Sequence, residues 1–162
     1  MRKMIVVLIS VLILAGCGST QTLETIADEP VLAASTQQRE VKVELPDDAA
    51  VMTMSCDNKT IYLCGGYEIC FEVLDAVDLD RTIKQVTGFH EEYLTVLKTG
   101  YEGFSKHEMV WSSAGETGDY LGRAVVLDDG DHHYVLSALA PADMVQNLEG
   151  QWEEMFASFQ FA

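Results

Sequence analysis

From position 41 the chain alternates. Val41, Val43 and Leu45 take turns with Lys42 and Glu44 until Pro46-Asp47-Asp48 stops the run. Alternation of period two marks a strand with one buried face. The same texture predicts strands at 50–56 and 60–64, with Asp57-Asn58 turning the chain between them. Gly65-Gly66 suits a two-residue hairpin. It leads into 67–74, where Tyr67, Ile69, Phe71 and Val73 share one face and Glu68 and Glu72 the other. The period then becomes helical. Leu79, Ile83 and Val86 follow Asp78, a good N-cap, and Gly88 stands where the helix should end. A strand at 93–98 precedes a loop holding Gly100 and Gly103. Three further strands, 106–113, 120–127 and 132–139, are joined by short segments and predict an antiparallel meander. Pro141 and Asp143 open a closing helix whose apolar stripe runs from Met144 through Leu148, Trp152 and Phe156 to Phe159. Gly150 within it costs about 1 kcal/mol relative to Ala. Mostly sequential strands with few, separate helices predict an α+β fold, an antiparallel sheet flanked by helices.

The order of these elements resembles the PsbP-like fold over residues 41–162. The features that carry the resemblance are the N-terminal run of strands, the helix Leu79-Asp80-Arg81-Thr82-Ile83-Lys84, the late meander, and a closing helix with Trp152 and Phe156-Ala157-Ser158-Phe159. That family includes the extrinsic photosystem II protein, a nuclear-import factor that binds a small GTPase, and many bacterial surface proteins. The resemblance implies an α/β/α sandwich and a non-catalytic role in binding or assembly. It supplies no catalytic residues.

The N-terminus has another character. Met1-Arg2-Lys3 precede an apolar run over 4–16 broken only by Ser10. A basic start, a short apolar core and small residues at the end are the layout of a secretory signal. The run falls short of the roughly 20 apolar residues that span a bilayer. It ends in Leu14-Ala15-Gly16-Cys17, which resembles the lipobox of bacterial lipoproteins. The expectation is therefore a signal peptide over 1–16, cut before Cys17, and lipidation of the Cys17 thiol. Fatty acyl chains such as palmitate contribute about 0.8 kcal/mol per buried CH₂, so two or three of them make a stable anchor. Residues 17–40 then read as the lipidated cysteine and a flexible tether, and 41–162 as a single domain. The place expected is extracytoplasmic, lipid-anchored at the cell membrane or outer membrane.

Charge narrows the partners. The chain has 10 basic and 26 acidic residues, a formal net charge of −16 that becomes −18 once Arg2 and Lys3 leave with the signal. Such a surface repels phosphate backbones, so nucleic acid is not expected as a partner. Contact with the membrane is left to the lipid anchor; the charge permits cationic ligands or metal ions, and a protein of the cell envelope is a further candidate partner. With Cys17 committed, Cys56, Cys64 and Cys70 are an odd number and allow at most one bridge. Their spacing differs from the close pairs of structural zinc sites.

Catalytic motifs are missing. There is no Gly-x-Ser-x-Gly, Walker loop or Cys-x-x-Cys. His90-Glu91 and His107-Glu108 begin like a zinc-protease helix, but Leu94 and Trp111 stand where the second histidine belongs. Both pairs read as surface polar residues. Asp128-Asp129-Gly130-Asp131-His132-His133 offers carboxylates and imidazoles, and equally a hairpin turn with Asp129-Gly130 at its tip. A two-residue turn sets 128 against 131 and sends His132 and His133 to opposite faces, which favours the turn over a metal site. Trp111 and Trp152 are expected in the core. No catalytic, metal or cofactor-binding residue is therefore assigned. The reading preferred is a surface-displayed, lipid-anchored binding or accessory module without catalysis. The alternative is a cell-envelope hydrolase or metal-dependent enzyme with a site assembled from scattered residues.

Overall fold

A computed structural model of the chain describes residues 37–52 and 58–162. The signal segment, Cys17, the tether as far as residue 36, and Cys56 lie outside the described residues. The elements are β1 (Val41–Lys42), β2 (Ala50–Val51), β3 (Lys59–Cys64), β4 (Tyr67–Asp75), α1 (Leu79–Thr87), β5 (Val96–Tyr101), β6 (Phe104–Gly115), β7 (Gly118–Asp128), β8 (His132–Pro141), α2 (Val145–Ser158) and β9 (Gln160–Phe161). A single 3₁₀ turn, Glu91–Tyr93, lies between α1 and β5. Seven strands form one antiparallel sheet in the order β2-β3-β4-β8-β7-β6-β5, and β1 pairs with β9 separately.

The fold is sheet-dominated, which corrects the expected α+β arrangement and the PsbP-like α/β/α sandwich. The reason is strand length. The strands extend beyond the runs 106–113, 120–127 and 132–139 expected from sequence, so β6, β7 and β8 run 12, 11 and 10 residues, against 9 for α1 and 14 for α2. β5 extends through Gly100 to Tyr101 and turns at Glu102-Gly103, where Gly103 takes φ 79°. β8 runs to Pro141, so Pro141 and Asp143 precede α2 without capping it. The closing helix stops at Ser158, and Gln160-Phe161 become a strand.

Local signals did act where they were strong. The Asp78 carboxylate accepts from the Asp80 N–H at 3.1 Å and starts α1; Gly88 ends it at φ 82°. Gly65-Gly66 close the β3–β4 hairpin, with Cys64 opposite Tyr67. Cys64 faces the same way as Tyr62, and Cys70 pairs with Ile61 on the other side of the sheet, so these two thiols are free and set apart by it.

The core divides between the two faces. On one, Ile69, Val125, Leu127, Tyr134 and Leu136 meet Trp152, Met155 and Phe156 of α2. On the other, Val126, Val135 and Met109 meet Ile83 of α1. The segment before β1 meets β8 and β9 at the first face: the Arg39 N–H donates to the Tyr134 hydroxyl at 2.6 Å, and its guanidinium lies 3.7 Å from the Phe161 ring centroid. Trp111 lies over Gly122, where a Cβ would stand 2.3 Å from the indole. Trp152, at 3% exposure, packs its ring 6.0 Å from that of Tyr67 and 6.3 Å from Phe156. Trp152→Ala therefore removes a core anchor, and urea denaturation should show a loss of about 3–5 kcal/mol.

Candidate functional site

The residues singled out from sequence fall into two groups. The Asp128–His133 segment is a turn whose carboxylates are taken by the backbone. Asp128 accepts from the Gly130 N–H at 2.8 Å; Asp129 accepts from the N–H groups of Asp131 at 3.0 Å and His132 at 2.7 Å. Burial opposes the charge on Asp129, but those two donors prevail and hold its carboxyl below the usual range. The loop has four residues, not two, because Asp128 pairs with His133. A register shift of two keeps every residue on its face, so His132 lies beside Tyr134 and His133 on the opposite side with Val126 and Val135.

The His-Glu pairs divide as well. His107 is 1% exposed, which corrects its expected place at the surface: it pairs with Val126, on the face that α1 covers, and its Nε2 lies 2.9 Å from the Ser105 hydroxyl. Glu108 points to the other face and meets Lys106 at 3.1 Å and Arg123 at 3.5 Å. His90 remains near the surface. Its Nδ1 meets Asp80 at 2.7 Å, and Asp80 also accepts from the Glu91 N–H at 2.7 Å. Those contacts, the Glu91 N–H first, hold the Asp80 carboxyl below its usual range. One carboxylate thus ties α1 to the Glu91–Tyr93 turn.

His133, 2% exposed, lies under α1 with its Nδ1 2.7 Å from the Thr82 hydroxyl and Asp128 3.8 Å from its Nε2. Burial pushes both buried imidazoles below their ordinary pKa. Asp128, Asp129 and Asp78 offset this for His133, and Asp128 and Glu91 for His107, while Lys98 and His133 add to the lowering at His107. These histidines have shifted titration but sit inside the packing.

A concave surface lies elsewhere, at the far end of β6. A cleft of about 550 Å³ is walled by Phe89, Tyr93, Leu94 and Trp111. A second, of about 440 Å³, lies between β7 and α2, walled by Val145, Glu149 and Trp152. Val110 and Leu121 line both, so the two form one groove around the edge of the sheet. Tyr93 is 70% exposed and Val110 57%, so the groove presents apolar area to solvent. The sequence reading missed this groove. One signal was present: Val110 is a large apolar residue between Glu108 and Ser112 on the same side of β6. Arg123 beside it is occupied, lying 4.8 Å from the Phe156 ring centroid and 3.5 Å from Glu108. The groove can bury apolar groups. Among the described residues no cluster of His, Cys, Asp and Glu has metal-binding geometry.

No family model and no curated protein matches the chain. Solved structures do. The chain is similar to the Ran-binding protein Mog1p of Saccharomyces cerevisiae, with TM-score 0.53, 14% identity, and coverage of 74% of this chain and 89% of that one. It is similar to LpqN of Mycobacterium tuberculosis, a protein involved in cell envelope biogenesis, with TM-score 0.51, 12% identity, and coverage of 80% and 87%. A protein from Bacteroides thetaiotaomicron gives TM-score 0.50 and 11% identity over 75% of this chain, which spans 45% of that protein's length. At these identities the likeness is one of fold.

The buried histidines make stability depend on pH. An unfolded chain takes up their protons at the ordinary pKa of 6.5, whereas the fold resists to lower pH. Their contribution is complete above pH 6.5 and is lost as pH falls from there toward the depressed folded values. Urea titrations across this range should show the midpoint falling below pH 6.5. The fall should be shallower in His133→Gln; an identical profile in the variant contradicts the assignment.

Proposed function

We propose that the chain is a lipid-anchored, extracytoplasmic module that binds a protein partner of the cell envelope and does no chemistry of its own. The observation that carries this reading is the character of the groove. Its walls are mainly apolar and aromatic, and the two buried histidines, His107 and His133, lie outside its lining on the face that α1 covers. An enzyme needs convergent polar groups inside its concavity, whereas a binding surface needs desolvated apolar area. Support also comes from proteins of similar fold, one involved in envelope biogenesis and one that binds Ran. The address rests on the Leu14-Ala15-Gly16-Cys17 tetrapeptide, with Cys17 as the lipidated residue, 1–16 as the signal and 17–40 as the tether.

Two measurements test the two halves. Cells expressing the chain and fed a labelled fatty acid should label the wild type and leave Cys17→Ser unlabelled; label in the variant would sink the anchor. For binding, a photocrosslinking amino acid placed at Tyr93 or Val110 in intact cells should yield a discrete protein adduct. The same group at Val77, exposed but away from the groove, should not. Equal capture at all three positions, or none at any, overturns the binding reading.

A further inference from the structure

The edge of β6 says what kind of partner the groove fits; the argument rests on the binding reading and deepens it. We infer that the groove takes an extended segment of a partner protein as an added strand, apolar at its centre and flanked by Lys or Arg.

The ladders define the edge. β5 begins at Val96 opposite Met109, while β6 runs on to Gly115. Both hairpins that hold β6 close through two residues, at Tyr101–Phe104 and Gly115–Gly118. In such a hairpin the residues flanking the turn exchange both backbone hydrogen bonds, and bonded pairs alternate from there. Counted back from Gly115, residues 113 and 111 bond β7. Counted on from Phe104, residues 106 and 108 bond β5. Both counts agree that Ser112 and Ala114 turn their N–H and C=O groups away from β7, to the side where β5 has no residue opposite. Each offers one donor and one acceptor to a chain laid along the edge, the geometry of strand addition.

Pleating sends alternate side chains of an added strand to opposite faces. One set meets Trp111 and Phe89, the other Leu121 and Val110. Both sets meet apolar surface, so the centre of the segment is apolar throughout. Carboxylates surround this apolar surface. Exposed Glu149 and Glu153 line the α2 side, Glu91 and Glu92 begin the turn that carries Tyr93, and Glu116 follows β6 directly. Glu149 and Glu153 have no salt bridge among the described residues. A second copy would bring the same carboxylates to the same edge, in a chain of net charge −16, and like charges in register oppose that pairing. Lys or Arg at the flanks of a foreign segment is attracted instead.

The test uses the full chain in detergent micelles and fluorescent synthetic peptides read by anisotropy. The peptides have a Val-Leu-Val-Thr-Leu core flanked by two Lys or by two Glu at each end. The Lys-flanked peptide should bind at least about tenfold tighter at low salt, with the preference shrinking as salt rises. Ser112→Pro removes an outward donor without cutting the β6–β7 ladder, so it should keep the melting temperature and lose at least about tenfold in affinity. The double variant Glu149→Lys/Glu153→Lys, on exposed helix positions, should invert the peptide preference. Wild-type affinity in a folded Ser112→Pro overturns strand addition. So does groove crosslinking in cells without binding of either peptide, and in that case the binding reading stands. Self-association of the chain by sedimentation, lost in Ser112→Pro, names a second copy as occupant and overturns the foreign segment. Absence of both crosslink and peptide binding removes the two readings together.

Discussion

The structure depends on one constraint, the unbroken register of β6, β7 and β8. β6 and β7 keep the same pairing from Ser105–Asp128 to Gly115–Gly118, and β7 and β8 from Tyr120–Pro141 to Asp128–His133. With no extra residue in these ladders, parity alone decides which side chain enters which face. Val125, Leu127, Tyr134 and Leu136 are thereby delivered to α2, and Val126, Val135, His107 and His133 to α1. The same register places Gly122 under Trp111, where no side chain would fit. A one-residue slip would bring charged Glu108 to the face where His107 is buried and drive Trp111 off its glycine. Burial on both faces therefore fixes the register more strongly than either face could alone.

Parity also explains what was legible beforehand. The sequence reading placed His132 and His133 on opposite faces from a turn of the wrong length. It held because the true register differs by two residues, an even number. The Asp78 cap, the Gly88 stop and the Gly65-Gly66 hairpin were legible because each is a local contact between near neighbours. The pairing of β4 with β8 was not, since it joins segments some sixty residues apart and nothing in either strand names its partner. Helical weight was overrated for a similar reason. Where alternation stops is decided by the neighbouring strand, and β7 and β8 support each other to Pro141. His107 was misplaced because a histidine beside a glutamate looks like surface, while alternation with Met109 and Trp111 already put it inside.

The groove was the least legible feature because it arises from a mismatch in length. Neither β5 nor β6 is unusual alone. β6 outruns β5 because residues 91–95 leave the sheet for the 3₁₀ turn, and only their departure uncovers the far end of β6. Long exposed edges invite uncontrolled pairing, and charge is one way proteins restrain it. Carboxylates near this edge act against copies of the same chain while leaving apolar walls intact.

The two walls of the groove are held by different forces. On one side α2 is locked by burial: Trp152, Met155 and Phe156 are each 3% exposed or less, and their loss would unfold the domain before it loosened the wall. On the other side the Glu91–Tyr93 turn has no buried residue of its own. It is held by Asp80, which takes the Glu91 N–H and the His90 ring, and by Lys84, whose Nζ lies 2.8 Å from His90 Nε2. These are exposed polar contacts on α1, and α1 is seated in turn by Ile83 and by the buried Thr82–His133 hydrogen bond. Exposed polar contacts contribute little and open readily, whereas a packed aromatic wall does not. Tyr93 and Phe89 thus belong to the yielding side of the groove, and Trp152 and Leu121 to its fixed side.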